Sequence, residues 1–409
     1  MNIHTETYPL FSVTGIEIEY MLVDETSLEI LPIADKVLHA LSPTGEIDED
    51  LVFGNIGISN EFTMHVLEMK SLDPVADLVK LEREIYPIQQ HISQLLREQF
   101  HAMMLPTGAH PWLIPNDSIA LWTHGYQEIY NAYNRIFNCK GHGWLNLQSI
   151  HINLPFCNDH EFAQLHNAIR LLMPIIPALT ASTPFIEGKL TGNCDSRLTF
   201  YGSNQKQFPI ISGHIIPEVV HSYQEYQDII LSPMYEAIAP HDHETVLQYD
   251  WLNSRGAIAR FDRSAIEIRV VDTQESLHQD VACVSAIVAA LQLIVQETDQ
   301  YLREPLAVNL LRDVYEKSIR DGLQGAVLPA EYVRQFGIEE VVTTRQLWEK
   351  ILLQASSRVP LEYQQAIDNI ITHGNLAERM VKYYQSNPSL PRLYQRLADL
   401  TKNNGYFSG

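Results

Sequence analysis

Gly15-Ile16-Glu17-Ile18-Glu19-Tyr20 is the stretch on which the fold turns. Apolar and acidic residues alternate through it. Strand side chains repeat every two residues, so Ile16, Ile18, Tyr20 and Leu22 share one face and Glu17 and Glu19 the other. Two carboxylates held side by side repel each other and cost free energy unless a cation lies between them. The segment therefore reads as half of a divalent-metal site, although a strand with one solvated face would give the same pattern.

Three further stretches repeat or extend this design. In Ser149-Ile150-His151-Ile152-Asn153-Leu154, His151 and Asn153 lie opposite Ile150, Ile152 and Leu154. In Ala265-Ile266-Glu267-Ile268-Arg269-Val270-Val271-Asp272, alternation puts Glu267, Arg269 and Val271 on one face. Arg255, Arg260 and Arg263 come just before it. Arginine suits phosphate because its donors form a fixed fork; a solvated hairpin with alternating charge is the competing reading. Glu61 and Glu68 make another acidic pair. Their odd separation puts them on opposite faces of one unbroken strand, so both reach one site only across a turn or bulge.

Glutamates with a single histidine suit hard cations, Mg²⁺ or Mn²⁺, better than zinc. No G-x-x-x-x-G-K-[ST] loop and no strand-associated G-x-G-x-x-G occurs, which argues against P-loop and Rossmann nucleotide sites. His241-Asp242-His243-Glu244 follows Pro240 and reads as a solvated loop or helix start.

The 409-residue chain is long enough for a large core, with 45% hydrophobic and 19% charged residues. A net charge of −22 argues against nonspecific binding to nucleic acid or to an anionic membrane. Cys139, Cys157, Cys194 and Cys283 form no C-x-x-C pair, and reduced thiols in a cytoplasm fit them best. Neither a signal peptide nor a membrane span is expected. The pattern predicts helices from Asp73 to about Met104, interrupted or kinked at Pro87, over 118–138, over Glu161–Leu179 and over Ser276–Leu302. Residues 181–221 read as a functional loop and 276–384 as mainly helical. One catalytic domain over 1–384 and a loosely attached polar tail over 385–409 complete the expectation.

Together these pieces resemble the glutamate–cysteine ligase family, in particular its bacterial carboxylate–amine ligase branch. The resemblance rests on GIEIE at Gly15–Glu19, on the Glu61 and Glu68 pair, on Thr107-Gly108-Ala109-His110-Pro111 and on Gln148–Asn153. It continues through Ala181-Ser182-Thr183-Pro184-Phe185, Thr191-Gly192 with Arg197, and Arg260-Phe261-Asp262 leading into Ile266–Val270. It implies an α+β fold of glutamine synthetase type, a curved antiparallel sheet forming a funnel with helices outside. It also implies ATP with Mg²⁺ (or Mn²⁺) as cofactors and a role in glutathione biosynthesis. Glu17, Glu19, Glu61, Glu68, His151 and Glu267 would be metal ligands. Arg260, Arg269 and Arg255 would bind the ATP phosphates, Arg269, Arg260 and Arg197 would be the catalytic residues, and Arg197 would lie near the substrate carboxylate or the transferred phosphate. The reaction implied joins a carboxylate, the γ-carboxylate of glutamate in the family, to an amine through an acyl phosphate. Partners would be small amino acids or amines; a homo-oligomer is compatible with the sequence.

The chain departs from the branch by keeping one histidine in Ser149–Ile152 and by lacking an acidic residue and Arg-Pro near Asn253–Gly256. Those departures leave donor and acceptor open. The competing functions are a non-catalytic metal or nucleotide binder and a guanidino phosphotransferase; Glu17 and Glu19 on the first strand speak against the latter.

Overall fold

In the computed structural model, which describes residues 7–47, 50–125, 127–297, 305–325 and 327–409, GIEIEY opens strand β1 (Gly15–Asp24). Nine strands follow: β2 (Leu51–Phe53), β3 (Ile56–Asn60), β4 (Val66–Ser71), β5 (Ala102–Leu105), β6 (Ser149–Pro155), β7 (Phe185–Ile186), β8 (Lys189–Leu190), β9 (Ala257–Arg260) and β10 (Ala265–Asp272). An open eight-stranded sheet runs β2-β3-β4-β1-β6-β10-β9, with β5 also on β1, and every pairing is antiparallel. β7 and β8 form a separate hairpin.

Alternation decides what each face does. Ile16, Ile18, Ile150, Ile152, Ile266 and Ile268 are at most 1% exposed and join one core with the helices. The main cover is the helix Leu277–Glu297, buried from Val281 to Leu291, which packs against helices Leu78–Leu95, Asp159–Leu172 and Leu361–His373. Its stretch Leu277–Gln296 is long and apolar enough to cross a membrane by composition, yet 78% of the apolar window is buried inside the fold. The C-terminal limit expected at Leu302 lies outside the described residues.

Four expectations need correction. The helix expected to start at Asp73 starts at Leu78, capped by the Asp77 side chain, and runs through Pro87 without ending. It does not reach Met104. His101 turns left-handed at φ 50° and donates its N–H to the Leu96 carbonyl, after which Ala102–Leu105 pairs with β1 as a strand. The helix expected over 118–138 is confined to Gln127–Phe137.

The last correction concerns the segment over 385–409, which is not a loose tail. Ser389 caps the helix Leu390–Asn403, which buries Leu393, Tyr394 and Leu397 against Met21, Val23 and Leu105. Beyond it Phe407 is fully buried, and its N–H donates to Glu275 Oε1 at 3.1 Å. Arg379 NH1 reaches the same Glu275 oxygen at 2.6 Å and also donates to the Phe407 carbonyl. The polar residues of this segment sit on the exposed face of an amphipathic helix, which composition alone cannot distinguish from a tail.

Candidate functional site

The polar face of the sheet lines a cavity of about 700 Å³. Register explains how its side chains meet. Glu19 is paired with Glu68 across β1 and β4, and Glu17 with His151 across β1 and β6. Glu267 lies opposite Asn153 across β10 and β6. The alternation seen in three separated stretches thus becomes one continuous polar surface.

Glu17, Glu68 and His151 each offer a donor atom, and these atoms lie within 4.8 Å of one another. His151 Nδ1 donates to Glu17 Oε2 at 3.0 Å, and Asn153 holds Glu17 Oε1 at 3.1 Å. His151 Nε2 is 3.0 Å from the Ser149 hydroxyl, while the Ser149 N–H donates to Glu19 Oε2 at 2.7 Å. Burial pushes Glu68 up to about 7, with the nearby charge of Glu17 adding to it. Burial, followed by the charges of Glu19 and Glu68, also holds Glu61 well above the usual carboxylate range. On His151 burial works downward, but hydrogen bonding to Glu17 and the surrounding glutamates prevail and raise it to about 9. Burial would likewise raise Glu17; the His151 hydrogen bond and charge outweigh it and hold that carboxyl low. Carboxylates crowded in this way, with one imidazole among them, form a donor set that fits a hard divalent cation.

Glu61 reaches the cavity because residues 61–65 turn the chain between β3 and β4, so the odd spacing from Glu68 is no obstacle. Glu267 is clamped by both arginines: Arg269 Nε donates to Oε1 at 2.5 Å and Arg260 NH1 to Oε2 at 3.2 Å. Its Oε1 lies 3.8 Å from His151 Nδ1. Arg197, Arg260 and Arg269 all line the cavity with the six expected acidic and histidine residues.

Arg255 does not join them. It is fully buried, with Nε and NH2 donating to Glu218 at 2.6 and 2.8 Å and NH1 to Asn253 Oδ1 at 3.1 Å. Its fork is filled by protein acceptors, and it is not among the residues that line the cavity, where a phosphate ligand was expected. The His241–Glu244 cluster is spent on structure as well: Asp242 accepts the N–H groups of Val246 and Leu247, and Glu244 pairs with Arg135.

Asp272 carries a role that alternation concealed. The pairing of β10 with β6 shifts between Ile268 and Val271, a bulge that sets Val271 opposite Ile150 in the core and Asp272 opposite Ser149 on the polar face. Simple alternation had placed Val271 there. Asp272 Oδ1 accepts from Arg197 Nε at 2.5 Å, and Oδ2 accepts from the Ser182 N–H at 2.8 Å and the Thr183 hydroxyl at 3.1 Å. A Cβ on Gly108 would come within 2.6 Å of the Asp272 carboxylate, so only glycine fits there. The Thr107–Pro111 and Ala181–Phe185 motifs therefore meet at a single ion pair that positions Arg197.

A family model described as glutamate-cysteine ligase family 2 matches residues 13–396. The chain belongs to that family. It is a carbon–nitrogen bond-forming ligase of the carboxylate–amine type. An uncharacterized protein of Archaeoglobus fulgidus is 36% identical over 310 residues, spanning 76% of this chain and 80% of the relative. A Legionella pneumophila protein provisionally named glutamate–cysteine ligase 2-2 is 23% identical over 397 residues, spanning 94% and 92%. Among solved structures, the bifunctional glutathione synthetase of Pasteurella multocida matches with a TM-score of 0.61 at 15% identity, over 96% of this chain and 53% of that one. This ligase-family chain thus spans about half the length of that enzyme. The ligase PafA, solved with the prokaryotic ubiquitin-like protein Pup, matches with a TM-score of 0.50 at 12% identity, over 97% and 74%. At those identities the two structures support the fold alone.

Proposed function

We propose that this chain is an ATP- and Mg²⁺-dependent carboxylate–amine ligase acting on small amino-acid or amine substrates, with the γ-carboxylate of glutamate as the first donor to test. The observation that carries the reading is the convergence of Glu17, Glu68 and His151 on one side of the cavity with Arg260 and Arg269 on the same sheet face. In such a site the substrate carboxylate attacks the γ-phosphorus of ATP, ADP leaves, and an acyl phosphate forms. The amine then attacks the acyl carbon, expels phosphate and loses a proton.

Glu17, Glu68 and His151 would hold the ion, with Glu19, Glu61 and Glu267 around them. When bound, that ion supplies charge neutralisation for the phosphoryl oxygens. Arg260 and Arg269 already lie against Glu267, where they can turn to nucleotide phosphates. Arg197, fixed through Asp272, presents NH1 and NH2 toward the Arg269 carbonyl at the cavity wall and is suited to a substrate carboxylate. Positioning and electrostatics supply most of the catalysis in this class, because little acid–base work remains beyond deprotonating the amine. Four free cysteines among the described residues fit a reducing compartment such as the cytoplasm.

The test is phosphate release from ATP and Mg²⁺ with glutamate and a library of amines, followed by the mass of any product. Release that requires both a carboxylate and an amine, with a product mass equal to their sum less water, is the expected result. Nucleotide binding with no release across the library would point to the non-catalytic reading.

A further inference from the structure

Lys70 has no part in the chemistry outlined above, yet it stands on the carboxylate wall. Strand periodicity puts it on the same face of β4 as Glu68, and register sets it directly opposite Glu17 on β1. Among the described residues it is the one lysine lining the cavity. Its Nζ lies 3.0 Å from Glu68 Oε2, 3.1 Å from Asp50 Oδ1 and 3.1 Å from the Ser59 hydroxyl. On the other side its cross-strand neighbour on β3 is Gly57, where an added Cβ would come 3.4 Å from the lysine stem. The stem therefore lies along bare backbone, and the ammonium is directed at oxygens.

Those oxygens come from two carboxylates and a hydroxyl. Without the lysine they would form an oxygen donor set of the kind a hard divalent cation takes. With it, Glu68 Oε2 is committed twice, to Lys70 and to the Ser59 hydroxyl at 2.7 Å. Oε1 is the Glu68 oxygen that neither of these contacts uses. An ammonium and a divalent ion on the same carboxylate oxygen would repel at short range.

We propose that Lys70 is a built-in cation that reserves one oxygen of Glu68 and keeps a divalent ion out of the Asp50–Ser59–Glu68 corner. The inference rests on the metal-dependent reading of the cavity, and it adds a limit on how many ions the wall accepts. Lys70 is thus a positioning residue: it fixes which Glu68 oxygen points into the site.

Direct Mn²⁺ titration of the full chain, read by electron paramagnetic resonance of the free ion and without nucleotide, tests this. Wild-type protein is expected to bind Mn²⁺, and Lys70→Met to bind one additional equivalent. Lys70→Gln repeats the measurement with a polar chain of similar reach, and its count should follow that of Lys70→Met. Lys70→Arg should keep the wild-type count. An unchanged or lower count in folded Lys70→Gln or Lys70→Met, or a gain in Lys70→Arg, overturns the proposal. Wild-type protein that binds no Mn²⁺ would instead remove the metal-dependent reading itself, so the two failures are told apart.

Discussion

The Arg197–Asp272 pair is the residue on which most of the motifs converge. Arg197 is 2% exposed and Asp272 is fully buried, so neither charge can be left to water. Burial works against the charge of Arg197, but Asp272 and Asp195 beside it more than offset that and strengthen its hold on the proton. Removing one partner of a buried pair leaves the other charge uncompensated, at a cost of about 3–5 kcal/mol. Asp272→Ala should therefore destabilise the protein by about that amount in urea denaturation. A loss under about 1 kcal/mol would mean that water or Asp195 takes over the arginine. In protein that still folds, the same variant should raise KM for the carboxylate substrate more than KM for ATP. This pair was only half legible in the sequence: Arg197 stood out by its motif, whereas Asp272 looked like the end of a strand. A bulge depends on the register of two strands, and no single stretch reports that.

At the scale of elements, alternation was a reliable guide. β1, β6 and β10 lie where period-two patterning put them as far as the bulge after Ile268, because each sets one apolar face against the helices and a slip of one residue would turn Glu17, His151 or Glu267 into that apolar core. Helix ends were less legible. Residues 78–105 carry one apolar rhythm, and what divides them is a left-handed residue at His101 and a strand partner on β1, both tertiary facts. Helix-to-helix contacts also carry a pH dependence. His278, at the start of the helix Leu277–Glu297, lies 3.1 Å from Glu82 on the helix Leu78–Leu95, and Asn404 bonds both partners. The hydrogen bond to Glu82 raises His278 above its ordinary value; Glu82 is lowered, His278 overriding burial. A raised histidine contributes stability that is complete below about 6.5 and is lost as pH rises through its folded value. A lowered glutamate contributes above about 4.5, and that is lost as pH falls through its folded value. The link is therefore strongest in mildly acidic to neutral solution. In an NMR titration His278 should titrate above its ordinary value, and Glu82→Gln should bring it back down.

For the molecule as a whole, the C-terminal segment closes the fold. It buries Leu393, Leu397 and Phe407 against the far end of β1, and the buried Arg379–Glu275 pair ties it to the turn after β10. Removing residues 388–409 would bare Met21, Val23 and Leu105 and leave Arg379 and Glu275 without the Phe407 backbone. Each buried leucine lost costs about 2–5 kcal/mol, so the truncated chain should aggregate on expression instead of yielding a trimmed enzyme. A soluble, monodisperse truncation in size-exclusion chromatography would contradict this. The sheet and its polar face could be read from pattern, but the role of the C-terminal segment could not. Its apolar stripe becomes visible only when the partner surface on β1 and β5 is known.

The central place of β1 also has a meaning in time. It leaves the ribosome well before some of its partners: Tyr20 donates its hydroxyl to Asp280, 260 positions later, and the Glu19 carbonyl accepts from Thr273. At about 5–20 residues per second, the nascent strand waits roughly 10–50 s for those partners to be synthesised. The edges of the strand are open for a shorter time, one until β4 has been made and the other until β6 has. Glu17 and Glu19 give that face like charge, which works against pairing with an identical strand while an edge is open.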